Sequence, residues 1–305
     1  MGSYALICWH KTDGTALMNK PRSLMDYDLL VPFVEEGETI PKIVHHIYFG
    51  GTIPEVYRRY IDQMKANNPD YEFRQYDEAS ARAFILKYYS PEVLAYYERI
   101  NPEYAAARSD FLRYLLIYAV GGLYFDVKSG IEGKIDASIS GDEGFILTQW
   151  QNQPGQPDEG VGLRKAVPIP GGEYQQWHVI GCKGHPFLRA VIPAMLKAVD
   201  DYSPWTHLTG RIGVLNVTGP IMYSNTIYPL VSRYRHKLYR YDRDIHLIYA
   251  ITGRDNHVDG RHYSVNRNSV VVLPLHLKVA FFLYRVWLNL KWRLNGKKAF
   301  VHPDY

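Results

Sequence analysis

The sequence has 305 residues, of which 47% are hydrophobic and 22% are charged, a composition typical of folded domains rather than disordered chains. The net charge of +4 is concentrated at the C-terminus, because residues 276–305 hold six Lys or Arg and one acidic residue. The rest of the chain is therefore close to neutral, which excludes a nucleic-acid-binding face on the main body.

Cysteine content and the N-terminus bear on the compartment. Cys8 and Cys182 are too few for a disulfide framework or a zinc cluster. The first ten residues lack the basic segment and the apolar run of a secretory signal. No uncharged apolar stretch reaches the ~20 residues that a spanning helix needs. We therefore expect a cytoplasmic protein, which the basic C-terminus could hold at a membrane surface.

The predicted elements alternate between strands and helices once the chain has passed residue 39. Residues 1–39, interrupted by Gly and Pro, are predicted to form an irregular lead-in. Strands are then predicted at 43–49 and 71–76. Helices are predicted at 54–67, at 79–89, from Ser90 onward and at about 103–120. The last of these helices ends at Gly121-Gly122, since glycine tolerates the left-handed conformation found after many helices.

The second half of the chain continues the alternation. A long Gly/Pro/Gln-rich loop at 151–173 is predicted to be a functional flap. Helices are predicted at 186–199 and 221–234, and strands at 123–125, 144–150, 177–182, 214–217, 238–241, 245–251 and 270–273. This order predicts an α/β domain with a mostly parallel sheet. In such sheets ligands bind beyond the carboxyl ends of the strands, which is where Asp126 stands.

One segment combines charges in a way that indicates chemistry. Asp110 and Arg113 share a face of the predicted helix, and the strand that follows ends at Asp126, two residues before Lys128. Two carboxylates and two cations suit an anionic ligand rich in hydroxyls, because cations bind phosphate and carboxylates accept hydrogen bonds from sugar hydroxyls. A surface ion pair beside a turn aspartate is the alternative interpretation.

This segment resembles the family-32 glycosyltransferases. The resemblance is carried by Ser109-Asp110-Phe-Leu-Arg113 and Gly121-Gly122-Leu-Tyr124-Phe-Asp126. Further pieces match in order, namely residues 40–50, Asn68-Pro69-Asp70-Tyr71-Glu72, Gly184-His185-Pro186 and Thr218-Gly219-Pro220. The resemblance covers about residues 40–230 and implies a GT-A-like fold, and we assign residues 40–275 to this catalytic domain. It also implies a retaining transfer of a hexose from a UDP- or GDP-linked sugar to a glycan or lipid-linked acceptor, with no organic cofactor.

The resemblance also implies roles for individual residues. Asp110 and Arg113 would hold the donor sugar's hydroxyls, and Asp126 would contact the sugar or ribose and a metal ion. The remaining donor-binding candidates are Ile47 and Tyr48 near the base, Arg108, Tyr124, and Thr218, Gly219 and Pro220 along the wall near the acceptor.

Lys128 departs from the family pattern, which has a second metal-binding aspartate at this position. Either Lys128 itself supplies the positive charge that the diphosphate needs, or Asp126 and a C-terminal group such as His262 still hold Mn²⁺ or Mg²⁺. The same lysine motivates an alternative function, a catalytically inactive module that binds a nucleotide-sugar or a glycan. Substitution of Asp110 and Asp126 would discriminate between the enzyme and the binding module.

The C-terminal residues 276–305 are predicted to form a basic amphipathic helix and a tail. Within residues 277–294, Lys278, Arg285, Asn289 and Arg293 share one stripe, and most other positions are apolar. A helix that docks on the catalytic domain and a helix that binds an anionic membrane surface are both consistent with this pattern. Its cations argue against a spanning helix.

Overall fold

The computed structural model describes residues 26–253 and 266–294. The helices are α1 (Glu55–Asn67), α2 (Glu78–Tyr88), α3 (Pro91–Arg99), α4 (Ala105–Val120), α5 (Ile135–Ser138), α6 (Pro186–Asp201), α7 (Gly210–Val217), α8 (Pro220–Ile227) and α9 (Leu275–Leu294). The strands are β1 (Ile43–Ile47), β2 (Glu72–Tyr76), β3 (Gly122–Phe125), β4 (Gly130–Ile131), β5 (Phe145–Gln149), β6 (His178–Gly181), β7 (Lys237–Tyr241) and β8 (Leu247–Ile248).

Six of the described strands form the central sheet in the order β2-β1-β3-β6-β5-β7. Five of them run in the same direction, and β6 runs antiparallel to its neighbours β3 and β5. The short strands β4 and β8 pair with each other beside this sheet. The predicted α/β fold class, the mostly parallel sheet and the C-terminal helix are confirmed.

Helix α4 is the centre of the larger hydrophobic core. Residues on nearly every side of it are buried, and it packs against α6 on one side and the sheet on the other. A second core cluster includes Met64 of α1, Leu123 of β3 and Trp177, which lies just before β6. Burial of these apolar surfaces fixes the position of α4 relative to the end of β3, and so positions the charges that the two elements carry.

Two glycines let the chain pass from α4 into β3. Gly121 has φ 72° and Gly122 has φ 106°, conformations that favour glycine. A Cβ atom on Gly122 would lie 2.5 Å from the carbonyl oxygen of Ile43. The backbones of β1 and β3 can therefore approach closely at this point.

Three predicted strands are wrong or mostly wrong. Residues 214–217 belong to helix α7, because a short apolar run does not by itself distinguish a buried helix from a strand. Only Leu247–Ile248 of the predicted strand 245–251 is a strand, and it follows a 3₁₀ turn at Asp242–Ile245. Val271 forms a single bridge with Ile100 rather than a strand. The predicted domain boundary at residue 40 stays a prediction.

Candidate active site

Arg113 lies between the two predicted carboxylates. Its Nη2 is 3.1 Å from Asp110 Oδ1 and 3.0 Å from Asp126 Oδ1. Its guanidinium carbon lies 4.4 Å from the ring centroid of Tyr124, and its Nη1 donates to the carbonyl oxygen of Gln176. Tyr124 also donates from its hydroxyl to Asp126 Oδ1 at 2.8 Å. Helix α4 and the end of β3 are thus joined by one charged, hydrogen-bonded cluster.

The two carboxylates of this cluster differ in accessibility. The Asp110 side chain is 7% exposed, whereas that of Asp126 is 25% exposed. Thr218 Oγ1 donates to Asp110 Oδ2 at 2.9 Å, so both oxygens of Asp110 have protein partners. Burial raises the pKa of Asp110 to about 6, although Arg113 and Thr218 oppose that shift. Asp126 is therefore the carboxylate that an incoming ligand can reach.

Lys128 lies in a tight turn directly after Asp126. The turn is closed by a 2.8 Å hydrogen bond from the Ser129 amide to the Asp126 carbonyl oxygen. The Ile251 amide donates to the Lys128 carbonyl oxygen at 3.0 Å, and the Lys128 ammonium lies 5.0 Å from the ring centroid of Tyr249. Burial acts to lower the pKa of Lys128, but Tyr249 and Asp126 outweigh it and raise this pKa above 10.5. The ammonium is charged at neutral pH.

Most of the other predicted donor-binding residues border this cluster. Tyr48, directly after β1, packs in the same apolar cluster as Val127, and Ile47 is buried beside it. Thr218 contacts Asp110 as described, and Gly219 and Pro220 form the N-terminus of α8. In the structure these residues therefore lie around one end of the sheet.

Arg108 does not join the cluster. Arg108 lies about 200° around α4 from Asp110. Its guanidinium donates to Glu78 Oε1 at 2.8 Å and to the Ile100 carbonyl oxygen at 3.0 Å. These contacts tie α4 to α2 and to the residue after α3. His262, predicted as a metal ligand, lies outside the described residues.

Gln176, Trp177 and Tyr249 also line the site, although no sequence pattern predicted them. The Trp177 carbonyl oxygen accepts from the Asp126 amide at 2.9 Å, and its indole centroid lies 5.6 Å from that of Tyr249. The buried Trp177 Nε1 has no hydrogen-bond partner within the described part of the chain. No motif identifies these residues. Gln176 and Trp177 lie just before the antiparallel strand β6, and Tyr249 lies just after β8, far in sequence from Asp126.

The only metal-ligand candidate predicted among the described residues is Asp126. Nowhere in residues 26–253 or 266–294 do three or more His, Cys, Asp or Glu side chains group as a metal site. Asp126 Oδ1 already accepts from Arg113 and Tyr124, and the neighbouring side chain is a cation. The described donor set does not fit a divalent ion.

A polar cavity of about 340 Å³ lies at the carboxyl end of β5. Its lining residues are Gln149, Trp150, Asn152, Gln153, Pro170, Gly171, Arg240 and Tyr241. The loop 151–173, predicted as a flap, forms one side of it and is held by its own hydrogen bonds, including Asn152 Nδ2 to Gly171 O at 2.8 Å. Trp150 contacts Tyr249 with ring centroids 5.0 Å apart. The rings of Trp150 and Tyr249 thus form an aromatic wall between the cavity and Lys128.

Comparisons with known proteins concern the region that contains this cluster. Residues 54–145 match the family model described as "Glycosyltransferase sugar-binding region containing DXD motif". An initiation-specific alpha-1,6-mannosyltransferase of Candida albicans is 24% identical over 64% of this chain and 54% of its own length. Inositol phosphoceramide mannosyltransferase 3 of Schizosaccharomyces pombe is 27% identical over 63% of this chain and 46% of its own length.

The chain spans about half the length of these two curated relatives. Among solved structures, PaToxG glycosyltransferase is similar with a TM-score of 0.44 and 20% identity, over 64% of this chain and 70% of that chain.

Proposed function

From the match of residues 54–145 to a glycosyltransferase sugar-binding region, we propose that the protein is a retaining hexosyltransferase. The donor is a UDP- or GDP-linked sugar and the acceptor is a glycan or a lipid-linked hydroxyl. The observation that carries the proposal is the Asp110–Arg113–Asp126 cluster within that region. Because both curated relatives are named mannosyltransferases, mannose is the first sugar to test.

In this proposal Asp126 is the catalytic carboxylate and accepts hydrogen bonds from the donor's hydroxyls. Asp110 and Arg113 are positioning residues, because their side chains are only 7% and 4% exposed. Arg113 and the hydroxyl of Tyr124 both donate to Asp126 Oδ1, and these two hydrogen bonds fix the orientation of the Asp126 carboxylate. Tyr48 is proposed to contact the base of the nucleotide, and its packing near Val127 supports this role.

Retention of configuration follows from attack on the face of the sugar that the diphosphate leaves. The acceptor hydroxyl approaches the anomeric carbon on that face, and a departing phosphate oxygen takes its proton. The polar cavity behind the aromatic wall is the proposed acceptor subsite, since amide side chains, aromatic rings and the Arg240 guanidinium suit a sugar or polyol that carries an anionic group.

Donor binding can be tested by thermal shift with a panel of UDP- and GDP-sugars. We expect one nucleotide series to raise the melting temperature by about 4 °C at 100 times Kd, because ligand binding at that ratio stabilises by about 2.7 kcal/mol. A matched sugar without nucleotide is the control. If no nucleotide-sugar shifts the transition and no sugar is transferred to any acceptor, the proposed function is wrong.

A binding module without catalysis is the second candidate, and Lys128 is the observation that favours it. Such a module would bind the nucleotide-sugar but release no nucleoside diphosphate. Measuring free diphosphate in the presence and absence of a glycan or lipid acceptor separates the two functions. Acceptor-dependent release identifies the enzyme.

We also propose that α9 binds an anionic membrane surface and that the protein is cytoplasmic and peripheral. Leu277 and Phe281 of α9 pack against the main core. Other apolar side chains of the helix are exposed, namely Leu275, Val279, Phe282, Leu283, Val286, Trp287 and Leu290. They occupy one arc of the helix, and Lys278 and Lys291 lie at its two borders, where their ammonium groups can reach lipid phosphates.

The position of α9 favours a lipid-borne acceptor. The segment leading to α9 runs beside the residues that precede α4, with a 2.8 Å hydrogen bond from the Asn101 amide to the Val270 carbonyl oxygen. The first turns of α4 carry Asp110, so the segment leading to α9 lies near the end of α4 that contributes to the site. Within the described residues, no helix is long and apolar enough to span a membrane.

Membrane binding can be tested with the double variant Phe282→Ser/Trp287→Ser. We expect the wild type to bind vesicles that contain phosphatidylserine and the variant to bind them at least about 10-fold more weakly, because each buried aromatic side chain contributes about 1.5–3 kcal/mol. Leu86→Ser, at an exposed position of α2, is the matched control. Equal vesicle binding by all three proteins would contradict the proposal.

A further inference from the structure

The motif that gives the matched family region its description contains two aspartates, but this chain has Asp126-Val127-Lys128. We propose that the Lys128 ammonium takes the place of a divalent metal ion at the diphosphate of the donor, so that transfer proceeds without a metal. This inference rests on the proposed glycosyltransferase function. It concerns how the leaving diphosphate is stabilised, a role for which the proposed function names no residue.

The described side chains around Asp126 are unfavourable for a divalent cation. Asp126 Oδ1 accepts two hydrogen bonds, from Arg113 and from Tyr124, and both donors are held by other contacts. The residue two positions later is a cation instead of a second carboxylate. A divalent ion at Asp126 would therefore meet the repulsion of a neighbouring ammonium, without a second carboxylate among the described residues to compensate.

Lys128 is held in a fixed position. Its backbone is in the turn closed by the Ser129 amide, and the Ile251 amide binds its carbonyl oxygen at 3.0 Å. Its ammonium lies over the ring of Tyr249, whose carbonyl oxygen accepts from the Ser129 hydroxyl. A fixed cation costs little reorganisation when negative charge develops beside it, which is the requirement for stabilising a leaving diphosphate.

The step that Lys128 would assist is the cleavage of the bond between the anomeric carbon and the diphosphate oxygen. The electron pair of that bond goes to the diphosphate, which gains negative charge next to the ammonium. The acceptor hydroxyl forms the new bond to the anomeric carbon and gives its proton to the leaving diphosphate. The products are the glycosylated acceptor and a protonated nucleoside diphosphate, with no oxidant, reductant or metal consumed.

The decisive experiment compares the wild type with Lys128→Asp, Lys128→Arg and Lys128→Ala. Sugar transfer is measured in the presence of EDTA, of Mn²⁺ and of Mg²⁺. The affinity for nucleoside diphosphate is measured by calorimetry, and Mn²⁺ binding is measured by electron paramagnetic resonance. We expect the wild type to transfer sugar equally in EDTA and Mn²⁺, and to bind nucleoside diphosphate in EDTA. Lys128→Ala should lose about 100-fold in transfer, and Lys128→Arg should keep more activity than Lys128→Ala.

Lys128→Asp restores the second carboxylate of the motif. We expect this variant to be inactive in EDTA and to gain Mn²⁺ binding that the wild type lacks, with partial recovery of nucleoside diphosphate affinity in Mn²⁺. Lys134→Asp, an exposed lysine six residues away, is the matched control and should behave as the wild type.

Wild-type transfer that EDTA abolishes and Mn²⁺ restores would overturn the inference and leave the proposed function intact. This measurement needs no variant, so a folding defect in a Lys128 variant does not affect it. If the wild type neither transfers sugar nor binds nucleoside diphosphate under any metal condition, the proposed function itself has failed. The two failures are therefore distinguishable.

Discussion

Asp126→Asn is expected to lower sugar transfer about 1,000-fold or more while the protein stays folded. The amide keeps the shape of the side chain and one accepting oxygen for Tyr124 and Arg113, but it removes the negative charge that the cluster is built around. Loss of a preorganised charged contact at the reacting centre usually costs this order of rate. The measurement is kcat/KM for the best donor, with circular dichroism and a melting curve to verify the fold.

Asp62→Asn is the matched control, because Asp62 lies exposed on α1. It should transfer sugar at the wild-type rate. Asp126→Asn should also keep nucleoside diphosphate binding, since Lys128 and the region near Tyr48 remain. A variant that folds, binds nucleotide and still transfers sugar within about 10-fold of the wild type would remove Asp126 from the catalytic role.

Lowering the pH from about 7.5 to about 5.5 is expected to reduce the free energy of unfolding by about 5 kcal/mol. Burial lowers the pKa of His45 and His178 to about 3 and that of His46 and His185 to about 4. In the unfolded chain these histidines titrate near 6.5, so the unfolded state binds protons that the folded state cannot. Each histidine therefore costs about 1.4 kcal/mol over this interval.

Asp110 has the opposite effect on stability. Because its pKa is raised to about 6, the folded state binds a proton in this pH interval that the unfolded state does not, which offsets about 1 kcal/mol of the loss caused by the histidines. Denaturant unfolding at several pH values measures the sum. His178→Gln should reduce the slope between the two pH values, because it removes one of the four buried imidazoles. Unchanged stability from pH 7.5 to 5.5 would show that the four histidines are accessible to protons.

The sequence was sufficient to predict the part of the site that lies within one continuous segment. Asp110, Arg113, the Gly121-Gly122 link and Asp126 fall within 17 consecutive residues, and helix and strand periodicity place them without knowledge of the rest of the chain. The predicted resemblance to family-32 glycosyltransferases is confirmed, since the matched sugar-binding region covers this segment. The α/β class followed from the same alternation of patterns.

The rest of the site depends on contacts between distant parts of the chain. Tyr249 is 121 residues from Lys128 in sequence, and its predicted strand is mostly irregular because the chain there bends around the turn of Lys128. Gln176 accepts from Arg113 through its backbone carbonyl and donates from its side-chain amide to Tyr114, contacts between distant parts of the chain that its local sequence does not predict. The buried position of Arg108 also depends on a distant contact, its hydrogen bond to Glu78 of α2, and its role in donor binding stays a prediction.

The reversed direction of β6 has an evolutionary consequence. Because β5 ends and β6 begins at the same edge of the sheet, the ends of the loop 151–173 are held close together, as the bridge between Gln149 and Tyr174 indicates. Lengthening a loop whose ends are already fixed costs little free energy. Insertions there can accumulate without disturbing strand β3, so the proposed acceptor subsite can change while the proposed donor site around Asp126 is kept.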